Sequence, residues 1–241
     1  MLNLPFIKSK KLLNIDRNYK TVKGQKKGFK TAILYLAPSD FSGFNVCPQA
    51  SKGCRQSCLY TAGFGTYKTV KEGRINKTRW FMQDRESFMK QLFREIANFV
   101  YHCEKNSFIP CLRLNGTSDI AWEKIRCNGK TVFDYFPNLQ IYDYTKVYKR
   151  ALSHVFGKMP GNYHLTFSLN ERNLNEALEV LKLGGNVSAV FRNKLPKKYQ
   201  GFKVINADEN DLRFTDSDNV ICGLIAKGKA RKDYSGFVLD V

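Results

Sequence analysis

His164–Arg192 reads HLTFSLNERNLNEALEVLKLGGNVSAVFR. The run His164–Leu169 is short and apolar and breaks at Asn170-Glu171. Residues 173–183 then carry apolar side chains at helical spacing and stop at Gly184-Gly185, a fitting C-terminal cap, before Val187–Arg192 turns apolar again. A strand, a helix and a second strand in this order make a crossover unit, which pairs its strands in parallel.

The same rhythm extends in both directions. Thr31–Ala37 reads as a strand closed by Pro38, and Cys111–Leu114, Leu139–Tyr144, Phe202–Asn206 and Val220–Ala226 are further apolar runs. Helices are expected over 67–83, from an Asp84 cap through Phe88, Leu92, Ile96, Phe99 and Val100, over 131–136, and up to about His154. The expected fold is α/β: a mostly parallel sheet with helices, forming a partial or full β/α (TIM-like) barrel. An open doubly wound sheet is the second choice. Residues 1–30, with nine Lys or Arg against Asp16 and with Gly24 and Gly28 as breakers, read as a basic arm, and 31–241 as one domain.

Of the 241 residues, 43% are hydrophobic and 13% aromatic, enough for a sizeable core. No apolar run approaches the ~20 residues that cross a bilayer, and the N-terminus lacks a secretory pattern, so the expected location is cytoplasmic, with no membrane partner. Forty Lys plus Arg against 21 Asp plus Glu leave a formal charge of +19. Such an excess repels itself in the folded chain and favours a polyanionic partner, which points to nucleic acid, DNA or RNA. The expected phosphate-tracking residues are Lys68, Lys71, Arg74, Lys77 and Arg79 on the 67–83 helix, with Lys146, Lys227 and Lys229. Seven cysteines, an odd number, argue against a disulfide framework, and Cys103, Cys111 and Cys127 read as ordinary buried thiols.

In parallel β/α folds the functional groups collect at the C-terminal ends of the strands. Those ends here carry Asn115, Gly116, Thr117 and Asp119, then Asp143 and Lys146, then Asn170 and Glu171, then Arg192. After the first strand comes Cys47-Pro-Gln-Ala-Ser-Lys-Gly-Cys54-Arg-Gln-Ser-Cys58. Cys54 and Cys58, four apart, would share a helix face, and Pro48 and Gly53 let Cys47 fold back toward them. Three thiols leave one coordination position open, with Cys222 or His164 as candidate fourth ligands. An iron–sulfur cluster is the leading expectation; zinc or no metal are the alternatives.

A three-cysteine loop after the first strand of a β/α barrel resembles the radical SAM enzymes. That resemblance implies a [4Fe–4S] cluster on Cys47, Cys54 and Cys58 and bound S-adenosylmethionine, met by Asn115, Gly116, Thr117, Asn170 and Arg192. The spacing C-x6-C-x3-C departs from that family's usual C-x3-C-x2-C. The cysteine loop, Asn76-Lys77-Thr78, Asp211-Leu212-Arg213-Phe214 and Gly223-Leu224-Ile225-Ala226-Lys227-Gly228-Lys229-Ala230 together resemble tailed-phage proteins of the gene product 88 type. This implies a viral protein acting in an infected bacterium.

The leading expectation is therefore a phage metalloenzyme that modifies a nucleic-acid base, with Asp119, Asp143 and Glu171 as catalytic groups. A cluster-free base-exchange transglycosylase, using Asp119 or Asp143 as nucleophile, is one alternative. A non-enzymatic, basic nucleic-acid-binding or host-takeover protein is the other.

Overall fold

The computed structural model describes residues 3–241. In chain order the elements are β1 (Leu13–Ile15), α1 (Tyr19–Gln25), β2 (Phe29–Leu34), α2 (Lys52–Gln56), α3 (Lys68–Gln83), α4 (Arg85–Lys105), β3 (Ile109–Arg113), α5 (Val132–Tyr135), β4 (Gln140–Thr145), α6 (Tyr148–Val155), β5 (Tyr163–Ser168), α7 (Leu174–Lys182), β6 (Val187–Phe191), β7 (Lys198–Tyr199), β8 (Phe202–Asn206), β9 (Ile221–Ile225) and β10 (Val238–Leu239). No helix among the described residues is long and apolar enough to cross a membrane.

The strands form one ten-stranded sheet in the order β1-β2-β3-β4-β5-β6-β9-β8-β7, with β10 also paired to β6. From β2 to β9 and on to β8 every pairing is parallel; β1 and β7 are antiparallel edge strands. The order is sequential from β2 to β6, with no reversal at its centre, so this is not the doubly wound arrangement. The sheet does not close on itself. A mostly parallel α/β sheet is present, and a complete barrel is not.

Sequential crossovers lay the helices on one face. Phe88, Leu92, Ile96 and Phe99 of α4 pack on Ala32, Leu34, Leu112 and Ile141, while Ala151 of α6 and Ala177, Val180 and Leu181 of α7 pack on Phe167, Val187, Ala189 and Phe191. Side chains alternate along a strand, so Thr31, Arg113, Tyr142, Tyr144 and Thr166 face the other way. That opposite face is covered by the chain that follows β8. Asp211 accepts from Arg113 Nη1 at 2.7 Å and from the Tyr142 hydroxyl at 3.4 Å, and the Phe214 ring lies 5.5 Å from Phe29 and 5.4 Å from Tyr142. Lys20 of α1 pairs with Asp208 at 2.8 Å. Side chains thus link the first and last parts of the sheet where no strand hydrogen bonds do.

Two expectations need correction here. The residues read as a basic arm fold onto the domain: Leu12 is fully buried, its N–H donates to Glu95, and Lys30 pairs with Asp16 at 2.9 Å. The reason is an apolar pair, Leu12-Leu13, that the lysine count hid; Met1 and Leu2 of that segment lie outside the described residues. Cys58 also does not share a helix face with Cys54. The α2 helix ends at Gln56, because Cys58 starts a tight turn in which its carbonyl accepts from both the N–H and the hydroxyl of Thr61.

The Arg113–Asp211 pair is almost fully buried. Asp211→Ala leaves the guanidinium without its acid, which should cost about 3–5 kcal/mol. Denaturant unfolding should register that loss, with much of it recovered in Arg113→Met/Asp211→Leu; an unchanged midpoint in Asp211→Ala contradicts the linking role.

Candidate metal-cluster cap at the strand ends

The cysteine loop crosses the C-terminal ends of β2, β3 and β4. Ser51 caps α2 by accepting the Cys54 N–H, and Glu171, beyond β5, accepts from the Ser51 hydroxyl at 2.6 Å and the Gly53 N–H at 2.9 Å. Burial works against a charged Glu171, yet these bonds outweigh it and hold the carboxyl below its ordinary range. Residue 53 must be glycine, since a Cβ there would lie 2.7 Å from Phe237 Cβ in the C-terminal strap. On the other side, Cys47 Sγ faces the Thr117 carbonyl at 3.7 Å, the Asp119 N–H donates to the Val46 carbonyl, and the Thr117 hydroxyl bonds the Leu36 carbonyl.

Lys146, just past β4, sits under this cap. Burial alone would depress its titration, but the sulfurs of Cys54, Cys47 and Cys58 and the Asp119 carboxylate outweigh burial and raise it. Cys58 also feels Arg74, whose guanidinium lies over the rings of Tyr35 (4.6 Å) and Tyr60 (5.6 Å). Arg74 Nη1 is buried and has no hydrogen-bond partner among the described residues. Burial lowers the Arg74 titration without an acid to offset it. The same burial pushes Cys47 up to about 12 and raises Cys58, so both are neutral thiols until something displaces their protons. Among the described residues no three His, Cys, Asp or Glu side chains converge tightly enough to hold a single metal ion. The other candidate ligands lie elsewhere: Cys222 contacts Asp216 at 3.5 Å, and His164, pushed down to about 3 by burial, meets His154 edge to face.

The carboxylates expected to be catalytic are engaged in holding loops. Asp119 accepts from Thr145 Oγ1 (2.8 Å), Lys146 N (2.7 Å) and Arg150 Nη1 (2.7 Å). Asp143 is fully buried on the helical side of the sheet, where Asn115 N, Asn115 Nδ2 and the Tyr163 hydroxyl donate to it. Glu171 anchors α2. The residues expected to meet S-adenosylmethionine are similarly occupied. Asn115 Oδ1 accepts from Ser118, Ile120 and Trp122, and a Cβ on Gly116 would sit 2.6 Å from Tyr35. Asn170 accepts from Arg172 N, and Arg192 binds Asp240 and the carbonyls of Arg231 and Asp233.

The expected phosphate contacts divide. Lys77, pushed down to about 8 by burial, donates to the Leu12 carbonyl, and Arg79 donates to the Ser42 and Pro5 carbonyls. Lys227 pairs with Asp208 at 2.7 Å. Lys68 and Lys229 are exposed, Lys71 lies over Tyr60, and Arg74 and Lys146 belong to the site itself. Sequence reading missed the polar sheet face of Arg113, Tyr144 and Thr166 and the Arg213 laid against it from the turn after β8; Arg113 Nε, Thr166 Oγ1 and Arg213 Nε are buried without partners among the described residues. The signal was present in the alternation Tyr142, Tyr144 along β4, continued by Lys146 just past its end.

Residues 10–240 match the family described as Gene product 88. The chain belongs to that family of phage proteins. No curated protein and no solved structure matches it.

Burial raises the Asp143 carboxyl to about 7. A carboxyl that binds its proton more tightly folded than unfolded loses stability as pH rises from about 4, the unfolded value, to about 7. Thermal melts across that window should show a decline in the parent protein that Asp143→Asn flattens; identical pH profiles contradict this assignment.

Proposed function

We propose that this gene product 88 family member is an enzyme that carries an iron–sulfur cluster on Cys47, Cys54 and Cys58 and acts on nucleic acid, modifying a base. The observation that carries the reading is the placing of the three-cysteine loop across the strand ends, with Cys47 Sγ 3.7 Å from the Thr117 carbonyl after β3 and the Cys54 helix pinned by Glu171 after β5. Thiolates that bind iron bring negative charge into a half-buried loop, and Arg74 and Lys146 offset it. Three thiols with no histidine beside them among the described residues are donor chemistry that suits a cluster more than a single zinc. One zinc needs every ligand about 2.0–2.3 Å from one point, whereas cluster thiolates bind different irons and stand farther apart. Three thiols in place of four leave one iron open.

When bound, such a cluster supplies one-electron chemistry. The protein's own residues do the rest. Glu171 and Ser51 fix α2, and Asp119 fixes the turn beneath Cys47. S-adenosylmethionine is a poorer fit, since Asn115, Thr117, Asn170 and Arg192 are spent on bonds within the chain; no step is assigned to it. Base exchange without a cluster lacks its nucleophile for the same reason, as Asp119 and Asp143 are buried and bonded. Nucleic acid as substrate rests on the +19 charge and on the exposed lysines beside the cap.

Protein purified without oxygen should be brown and contain about four iron atoms and matching sulfide per chain. Each of Cys47→Ala, Cys54→Ala and Cys58→Ala should lose most of the iron, while Cys103→Ala keeps it. Colourless, iron-free protein after anaerobic reconstitution would sink the reading.

A further inference from the structure

We propose that the outer surface of the cysteine cap docks a single-stranded polynucleotide, its unpaired bases stacking on Phe64 and Tyr67 and its phosphates following Lys68 and Lys71. This deepens the nucleic-acid reading above, on which it rests, by naming the form of the substrate. Between Asp40 and Glu72 the chain carries Lys52, Arg55, Lys68 and Lys71 and no acidic residue. Phe64 is 66% exposed and Tyr67 58%. Their centroids are 6.0 Å apart and the rings are inclined at 57°, so they do not cover each other's faces. Large aromatic rings left in water are costly, and two of them among lysines, at the lip of a candidate site, present faces that a nucleobase can cover.

A second basic segment reaches the same edge from the far end of the chain. The tight turn Gly228–Lys232 packs on Leu59–Thr61, with residue 228 so close that a Cβ there would lie 3.1 Å from the Thr61 carbonyl. It brings Lys229, Arg231 and Lys232, followed by Tyr234, 84% exposed with its ring 4.5 Å from the Arg192 guanidinium. Of the acids nearby, Asp233 is buried and accepts from Ser235 and Val238, Asp240 binds Arg192, Asp40 pairs with Arg55 at 3.3 Å, and Glu72 stands 4.0 Å from Lys68 in an exposed pair that a phosphate can displace. The edge is therefore positive with aromatic rings interspersed.

Three features select a single strand over other occupants. A duplex hides its base faces inside the stack, so it cannot use the rings. A second copy of this chain would bring the same positive edge against itself. A membrane surface is better served by a continuous apolar helix face than by rings separated by lysines and glycines.

The test is a titration of the full chain against labelled thymidine and uridine oligomers and a duplex of equal length, at two salt concentrations. Both single strands should bind more tightly than the duplex. Phe64→Ala/Tyr67→Ala should weaken single-strand binding by about tenfold or more without changing the duplex. Lys68→Gln/Lys71→Gln should reduce the salt slope by roughly 0.7 for each phosphate that is no longer neutralised. Phe64, Tyr67 and Lys68 are exposed and Lys71 is half-exposed over the Tyr60 ring, so the aromatic variant should keep the parent melting temperature and the lysine variant is compared at matched folded fraction. Duplex preference, or unchanged affinity in the aromatic variant, overturns the proposal. So does an effect of that variant seen only in self-association or in binding to anionic vesicles. Oligomer binding needs no iron, so the two readings fail separately: iron-free protein that binds single strands removes the cluster alone, and iron-loaded protein indifferent to oligomers removes this surface alone.

Discussion

Asp119 ties together the three segments that define the strand-end face. Its carboxylate holds the backbone of Lys146, the Thr145 hydroxyl and the Arg150 guanidinium, while its own N–H is bonded to Val46, one residue before the first cysteine. Three charge-assisted bonds to one nearly buried carboxylate fix the exit of β4 against the turn after β3 and against the start of the cap. Arg150 is in turn shared with Glu123 and the Tyr163 hydroxyl. Without that anchor, Cys47 and Lys146 have no fixed relation to each other, and the thiols lose their electrostatic counterpart.

The second constraint is the C-terminal strap. The β6 strand pairs with β5 only through Val187 and Ser188, and beyond that point β10 occupies the vacated edge at Val190 and Phe191. The chain end thereby returns to the strand-end face, where Phe237 closes on Gly53 and Arg192 grips Asp240. The cap is held from both sides: by the turn after β3 near Cys47, and by Glu171 and the strap near Cys54. This double anchorage places a stiff, half-buried thiol loop on a fold whose other strand-end side chains are largely spent on one another.

Much of the fold was legible because its strands and helices follow hydrophobic periodicity. The strands around His164–Arg192, the helix from Asp84 and the stop at Gly184-Gly185 stand where the pattern put them, the last with the Gly185 N–H bonded to the Val180 carbonyl. Short edge strands escaped, since two- and three-residue runs such as Lys198–Tyr199 carry no period. The candidate site was legible only by place. Sequence names a residue at a strand end but not its partners. The bonds by which Asp119, Asp143 and Glu171 hold loops were therefore not legible from their places in the chain. The same limit hid Arg113 and Tyr144, whose significance comes from facing away from the helices, a property of the pleat and not of the residue type.

The central claim is that the three thiols of the cap act together on one inorganic group. Electron paramagnetic resonance of the reduced, oxygen-free protein tests it most directly. The account predicts a low-temperature signal of a reduced four-iron cluster, near one spin per chain, absent from a Cys47→Ala/Cys54→Ala/Cys58→Ala variant that still folds. A spectrum without any iron–sulfur signal, or one that persists when all three cysteines are replaced, contradicts it.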